Sequence, residues 1–366
     1  MSWRSSTRWR VTDIRRWLVP GRVNLMGEHL DHNGGPVLPM AIDKHVTIKA
    51  RRRDDCDVHV WSPLGPKVVL APEVEPGSVP DWAGVVAGAR WALEQAGYTV
   101  GADLVIESDL PAGAGLASSA AVACGTVLAL ADLAGVALDL AEVAALARRA
   151  ETDFLAVPVG VMDQLAVLHG GTQLVDTVSG AVTAVDVEWP GLSLVVIDTG
   201  VTHRVAAGEY AQRRAECAAA AEQLGLDHLA TAGPDAVLRF ADSDPLKGRV
   251  RHVITETTRV RGAVRAAAER DWARFGGLLT SSHESLRDDF AVSCSELDVA
   301  VEAALAAGAL GARMTGAGFG GSAIALAPTD QLLGLREKVV TAFADHDWPS
   351  PTLFTVRPAP GAHLSP

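Results

Sequence analysis

The stretch from Pro20 to Pro39, reading PGRVNLMGEHLDHNGGPVLP, constrains this chain more than any other. Arg22, Asn24, Glu28, His29, Asp31, His32 and Asn33 stand among Gly21, Gly27, Gly34 and Gly35, in a chain otherwise rich in Ala, Val and Leu. Polar groups at that density cost fold stability when buried unless something bonds them. Carboxylates accept while Arg and His donate, so the inventory suits a polyhydroxylated molecule or, alternatively, a metal ion. Zinc-binding helices space histidines at i and i+4 with a third ligand. Here His29 and His32 are three apart in a glycine-flanked loop, which favours hydroxyl binding.

The remaining pattern predicts an α+β chain of two domains. At 366 residues there is length for two, and 48% hydrophobic with 21% charged residues is ordinary for a globular protein. Residues 36–70 alternate apolar and polar positions, as half-buried strands do. Residues 81–97 carry helical spacing through Trp82, Val85, Val86, Ala89 and Leu93, with Gly97 as the stop. Residues 103–110 read as a strand. A glycine turn, a small-residue helix from Leu116 to about Leu133 and a helix over about 139–154 follow.

After a hairpin-like stretch at 172–187, Trp189-Pro190-Gly191 marks the boundary, giving domains of 1–188 and 189–366. The second half opens on a strand at 192–198 and continues with helices near 205–224, 249–268, 271–283 and 295–307. Strands at 311–315 and 322–327 flank a glycine turn. Neither a 20–50-residue repeat nor a strict βαβα rhythm is present, so arrays and doubly wound sheets are disfavoured.

A net charge of −12 argues against nucleic acid or an anionic membrane surface as a partner. No apolar run reaches the roughly 20 residues that span a bilayer. The arginines at positions 4, 8, 10, 15 and 16 read as a solvated arm without the apolar core of a secretory signal. Cys56, Cys124, Cys217 and Cys294 are scattered and read as buried small hydrophobes in a reducing compartment. A cytoplasmic location is expected.

Three further segments can carry chemistry. Pro111-Ala-Gly-Ala-Gly-Leu-Ala-Ser-Ser-Ala lies between a strand and a helix, where backbone N–H groups and the helix dipole suit a phosphate. The alternative is a tight turn whose small residues serve packing. Gly316-Ala-Gly-Phe-Gly-Gly formally matches a dinucleotide fingerprint, but strand-like Ser322-Ala-Ile-Ala-Leu follows it instead of a helix. A glycine hairpin close to a ligand or another backbone fits better. Asp163, between Met162 and Leu165 in Val159-Gly-Val-Met-Asp-Gln, reads equally as a reactive carboxylate or a helix N-cap.

Taken together, these segments resemble the GHMP family of small-molecule kinases and its galactokinase branch in particular. Residues 21–35 look like the galactokinase signature, 111–120 the family's phosphate loop and 314–321 its third motif. Residues 159–164, Gly208-Glu-Tyr with Arg213-Arg214, and 282–290 also match, in order. The resemblance implies a two-domain GHMP kinase fold with the active site in the cleft between domains. It further implies transfer of the γ-phosphoryl group of ATP to the anomeric hydroxyl of galactose.

By this resemblance Asp163 approaches the anomeric hydroxyl and Arg22 lies beside it. Such a pair orients the hydroxyl and takes its proton late rather than abstracting it first. Glu28, His29, Asp31, Gly160 and Tyr210 would bind the sugar. Pro111, Gly113, Ala114, Gly115, Leu116, Ala117, Ser118 and Ser119 would wrap the nucleotide phosphates. Ser119 and Glu151 would hold Mg²⁺. Galactose and ATP are the expected partners, with no nucleic acid and no membrane, for a monomeric enzyme.

The chain departs from the family pattern at Leu30, usually Thr, at His32, usually Tyr, and at Val159, commonly Cys. The first two fall inside the sugar-recognition segment. A GHMP kinase for N-acetylgalactosamine or a pentose is one alternative. A sugar- and ATP-sensing regulator without turnover is another, and retention of Ser119, Glu151, Asp163 and Arg22 weighs against it.

Overall fold

A computed structural model describes residues 14–202 and 206–365. The first half runs β1 (Arg15–Met26), β2 (Pro36–Arg52), β3 (Val58–Ser62), β4 (Gly65–Leu70), α1 (Asp81–Gln95), β5 (Ala102–Ser108), α2 (Ser118–Ala134), α3 (Leu140–Arg149), α4 (Met162–His169), β6 (Thr172–Asp176) and β7 (Val182–Val185). The second runs β8 (Leu192–Thr202), α5 (Ala206–Leu224), α6 (Pro245–Ala268), α7 (Trp272–Asp288), α8 (Ser295–Ala306), β9 (Gly311–Thr315), β10 (Gly320–Pro328), α9 (Leu332–Ala344), β11 (Thr352–Val356) and β12 (His363–Ser365).

An eight-stranded sheet has the order β12-β1-β2-β5-β3-β4, with β6 and β7 branching from β2. The long strand β2 explains that branching. Residues 37–42 are buried without alternation and pair with β1 and β6, whereas residues 46–50 alternate and pair with β1 and β5. Helix α2 lies across β1 and β2, and α1 packs on α2. A Cβ at Gly125 would sit 2.7 Å from Ile48 Cδ1 and 2.8 Å from Val19 Cγ2, so the small residues of α2 are what let it lie so close.

The second sheet, β11-β8-β10-β9, is antiparallel throughout. Helix α8 covers it, α7 flanks β9, and α6 and α5 stack outward from α7. Strand β12 leaves this half and pairs with β1, and bridges at Ile42–Pro358 and Gly170–Pro360 prepare its return.

Several elements differ from expectation. The helix from 139 ends at Arg149 and gives way to a π-helical turn over Ala150–Phe154. There Ala150 O approaches α1 so closely that a Cβ at Gly88 would meet it at 2.6 Å. Sequence spacing gave no sign of β1, α9, β11 or β12, and only the cap reading of Asp163 hinted at α4. Asp163 does not cap a helix: Val161 is the N-cap of α4 and Asp163 sits in its first turn.

Cys124 and Cys217 are buried, but Cys56 is exposed, because it falls in the turn between β2 and β3. Of the arginine arm, positions 4, 8 and 10 lie outside the described residues, while Arg15 and Arg16 open β1 with exposed side chains. Among the described residues no helix is long and apolar enough to cross a membrane.

Candidate active site

A cavity of about 300 Å³ opens where the end of β1, the start of α2, α4 and α5 converge. Arg22, Glu28, His29, Asp31, Ser119, Glu151, Gly160, Asp163 and Tyr210 all line it, so residues from 22 to 210 in the sequence meet in one place.

Arg22 is the hinge of this arrangement. Its Nε and Nη2 donate to Asp163 Oδ1 and Oδ2 at 2.7 and 2.8 Å, a bidentate pair. Its Nη1 donates to Gly115 O at 2.6 Å, and its backbone N–H donates to Leu116 O at 3.0 Å. One guanidinium therefore ties the carboxylate of α4 to the loop before α2. Arg22 itself is only 5% exposed.

The 111–117 loop owes its shape to three left-handed residues, Gly113 (φ 76°), Gly115 (φ 73°) and Ala117 (φ 60°). Alanine adopts this conformation at a cost, which neighbouring structure must offset. Ala117 is the N-cap of α2 and no side chain caps that helix, so its N-terminal donors face the loop concavity. The glycine-rich 316–321 segment backs the loop from behind. Ser322 Oγ donates to Ala114 O at 2.8 Å, and a Cβ at Gly316 would lie 3.4 Å from Gly115 O. That hairpin approaches another backbone.

Ser119 Oγ donates to Glu151 Oε1, and Gln164 Nε2 donates to Glu151 Oε2 at 2.7 Å. Burial raises the Glu151 carboxyl above its ordinary range, and the charge of Asp163 adds to this against the two hydrogen bonds. An anion so placed favours a cation beside it. The hydroxyl and carboxylate are hard oxygen donors of the kind Mg²⁺ takes together with phosphate oxygens and water. Among the described residues no group of three or more His, Cys, Asp and Glu is placed to hold a metal ion.

The signature loop divides its polar residues between cavity and scaffold. Glu28, 2% exposed, accepts from Asn24 Nδ2 at 2.7 Å and Gly316 N at 2.8 Å, and pairs with Arg313. The Thr315 hydroxyl has one proton, shared between Asn24 O at 3.1 Å and Glu28 Oε1 at 3.2 Å. When it goes to Asn24, Oε1 keeps an acceptor position for a ligand hydroxyl. Burial pushes the Glu28 carboxyl up to about 7 despite the opposing charge of Arg313.

His29 has a left-handed backbone (φ 62°), and both ring nitrogens are buried without a protein partner. Burial, then the charges of His32 and His252, lowers its basicity well below the usual value, so it is a neutral ring. His29 lines the cavity, and a ring whose two nitrogens lack protein partners has hydrogen-bonding capacity left over. Burial pushes the Asp31 carboxyl upward, but a hydrogen bond from His32, with the positive charge around it, outweighs this and brings it down to about 2. Its Oδ2 lies over Gly160, where a Cβ would come within 1.9 Å. Tyr210 brings α5 to the cavity, 5.7 Å from the His29 ring, and burial raises its phenol.

The two departures in the signature separate cleanly. Leu30 is fully buried, packs against Gly35 and stays out of the cavity lining. His32 touches Asp31, with Nδ1 3.2 Å from Oδ1.

Beneath the loop lies a buried charge network that sequence reading missed. Glu256 of α6 accepts from Gly27 N at 2.8 Å and Ser282 Oγ at 2.7 Å, and pairs with Arg259 at 2.6 Å. Arg313, fully buried, reaches both Glu28 and Glu256 and donates to Leu25 O at 3.0 Å. A charged residue inside an apolar strand such as Ala312-Arg-Met was the available signal, because arginine is almost never fully buried unpaired. Gln164 and Arg214, the latter donating to Pro158 O at 2.8 Å, also went without an expected role.

Comparison with known proteins agrees with this geometry. Residues 84–171 match the GHMP kinase N-terminal domain, 263–345 the GHMP kinase C-terminal domain, and 11–52 the galactokinase galactose-binding signature. The galactokinase of Streptomyces coelicolor is 41% identical over 94% of this chain and 93% of its own length. That of Mycobacterium tuberculosis (strain H37Rv) is 39% identical over 94% of this chain and 97% of its own. The crystal structure of Lactococcus lactis galactokinase complexed with galactose superposes with a TM-score of 0.91 at 30% identity, covering 96% of this chain and 95% of that one. A mevalonate kinase structure at 19% identity and TM-score 0.71 shares the fold. The chain belongs to the GHMP kinases and, within them, to the galactokinase family.

Proposed function

We propose that this chain transfers the γ-phosphoryl group of ATP to the anomeric hydroxyl of D-galactose, giving galactose 1-phosphate. The observation that carries the reading is the single guanidinium of Arg22 spanning Asp163 and the Gly115 carbonyl. It fixes the acceptor carboxylate against the loop that would hold the phosphoryl donor. Phosphoryl transfer has a loose transition state, so holding the two partners in line supplies much of the catalysis.

In this reading the 111–119 segment and the N-terminus of α2 grip the phosphates through backbone donors. Ser119 and Glu151 would hold Mg²⁺, which when bound neutralises phosphate charge. Asp163 orients the anomeric hydroxyl and takes its proton late in transfer. His29, Asp31, Tyr210 and the free position on Glu28 bind the remaining hydroxyls above Gly160. Residues 1–188 and 189–366 are taken as the two domains, with the C-terminal strand returning to the first sheet. A monomer in the cytoplasm, where ATP is at hand, is proposed as the working unit.

ADP release measured with galactose, glucose, N-acetylgalactosamine and arabinose tests the assignment. Galactose is expected to give the highest kcat/KM, and a rate no better than with the other sugars would overturn the substrate assignment. Asp163→Ala is expected to abolish transfer while galactose binding stays measurable by calorimetry. Retained turnover would remove Asp163 from its role.

A further inference from the structure

We infer that His32 is a positioning residue for sugar recognition, holding the Asp31 carboxylate in the orientation that presents Oδ2 to the cavity. The inference rests on the proposed function and adds a residue to it. His32 does not line the cavity, and its side chain is 3% exposed against 13% for Asp31. It therefore acts on a ligand only through its neighbour. Nδ1 reaches Asp31 Oδ1 at 3.2 Å, leaving Oδ2 over Gly160, whose missing side chain makes the space it occupies.

The imidazole is itself wedged by two walls of the cavity. It meets the His29 ring edge-on at 5.7 Å and the Tyr210 ring edge-on at 5.8 Å. Its other nitrogen, Nε2, is buried without a partner. An apolar ring would fill the same volume without leaving a polar atom unpaired. A nitrogen retained at that cost is explained by the one bond it makes, to Asp31. Without that bond the carboxylate loses the partner of one oxygen, and each sugar must fix its orientation again on binding.

The test compares two variants by steady-state kinetics and calorimetric galactose titration. His32→Phe keeps an aromatic ring and removes the donor; His32→Asn places an amide N–H near the Nδ1 position and loses the ring. The expected result for His32→Phe is a galactose KM and Kd raised about tenfold, with kcat and the ATP KM within about twofold of the parent. His32→Asn is expected to recover most of that loss. A role in packing alone gives the reverse order, Phe like the parent and Asn impaired, and overturns the inference. A loss confined to kcat also overturns it. Parent enzyme that releases no ADP with galactose refutes the proposed function and this inference together. Active parent with an unaltered His32→Phe refutes this one alone.

Discussion

Replacing Gly160 by alanine isolates how much the placement of Asp31 matters. Gly160 does not need a left-handed backbone, so alanine there carries no conformational strain. The whole effect comes from its new methyl group, which would lie 1.9 Å from Asp31 Oδ2, 2.8 Å from Cγ and 3.2 Å from Cβ. Ordinary contact begins near 3.4 Å, so the carboxylate oxygen must retreat by about 1.5 Å. Retreat is opposed on the far side by the bond from His32 to Oδ1. A displacement of about 1 Å in a positioning group costs on the order of 10²-fold. The expected outcome is a fall in kcat/KM for galactose of about that size, carried mainly by the galactose KM, with the ATP KM within about twofold. Initial-rate measurements with each substrate varied, beside a melting curve showing intact fold, supply the check. An unchanged galactose KM in a folded Gly160→Ala protein would refute the reasoning, because it would mean Asp31 need not stand where it does.

Three further outcomes follow from the geometry. Arg22→Met removes the clamp between Asp163 and Gly115 and should lower kcat by about 10²–10³ while the protein still melts cooperatively; a near-parental kcat counts against the clamp. Arg313→Met leaves Glu28 and Glu256 buried without their shared cation, and chemical denaturation should show a loss of about 3–5 kcal/mol; a loss under about 1 kcal/mol would show the network to be dispensable. Glu256 is pushed up by burial, but Arg259 and Arg313 hold it down to about 2, below its ordinary 4.5. Its contribution is therefore present above pH 4.5 and lost as pH falls toward 2. The stability gap between the parent and Glu256→Gln should be wide at pH 7 and narrow by pH 3; a gap constant with pH contradicts the ionic role.

What the sequence made legible was whatever repeats locally or sits in a dense motif. The helices α1, α2 and α5 through α8 show apolar spacing over three or more turns, and the signature concentrates its polar groups within 20 residues. The phosphate loop shows its glycines, but not that Ala117 joins Gly113 and Gly115 in a left-handed turn, since alanine carries no such signature. Helix α4 is eight residues long, too short for a periodic signal, and so Asp163 looked equally like a cap. The Glu28–Arg313–Glu256 network joins residues from distant parts of the sequence, and pairing at that range is set by the sheet and helix packing alone.

The pairing of β1 with β12 means that the chain leaves the eight-stranded sheet after β7 and re-enters it after β11. The four-stranded sheet and its helices are thus an excursion anchored by two crossings, not a lobe on a single leash. Between those crossings the halves are also joined by buried bonds, Gly27 to Glu256, Glu28 to Arg313 and Ser322 to Ala114, so the contact is fastened across its breadth. The cavity walls, drawn from both halves, are thereby tied together by backbone at two places and by side chains between them.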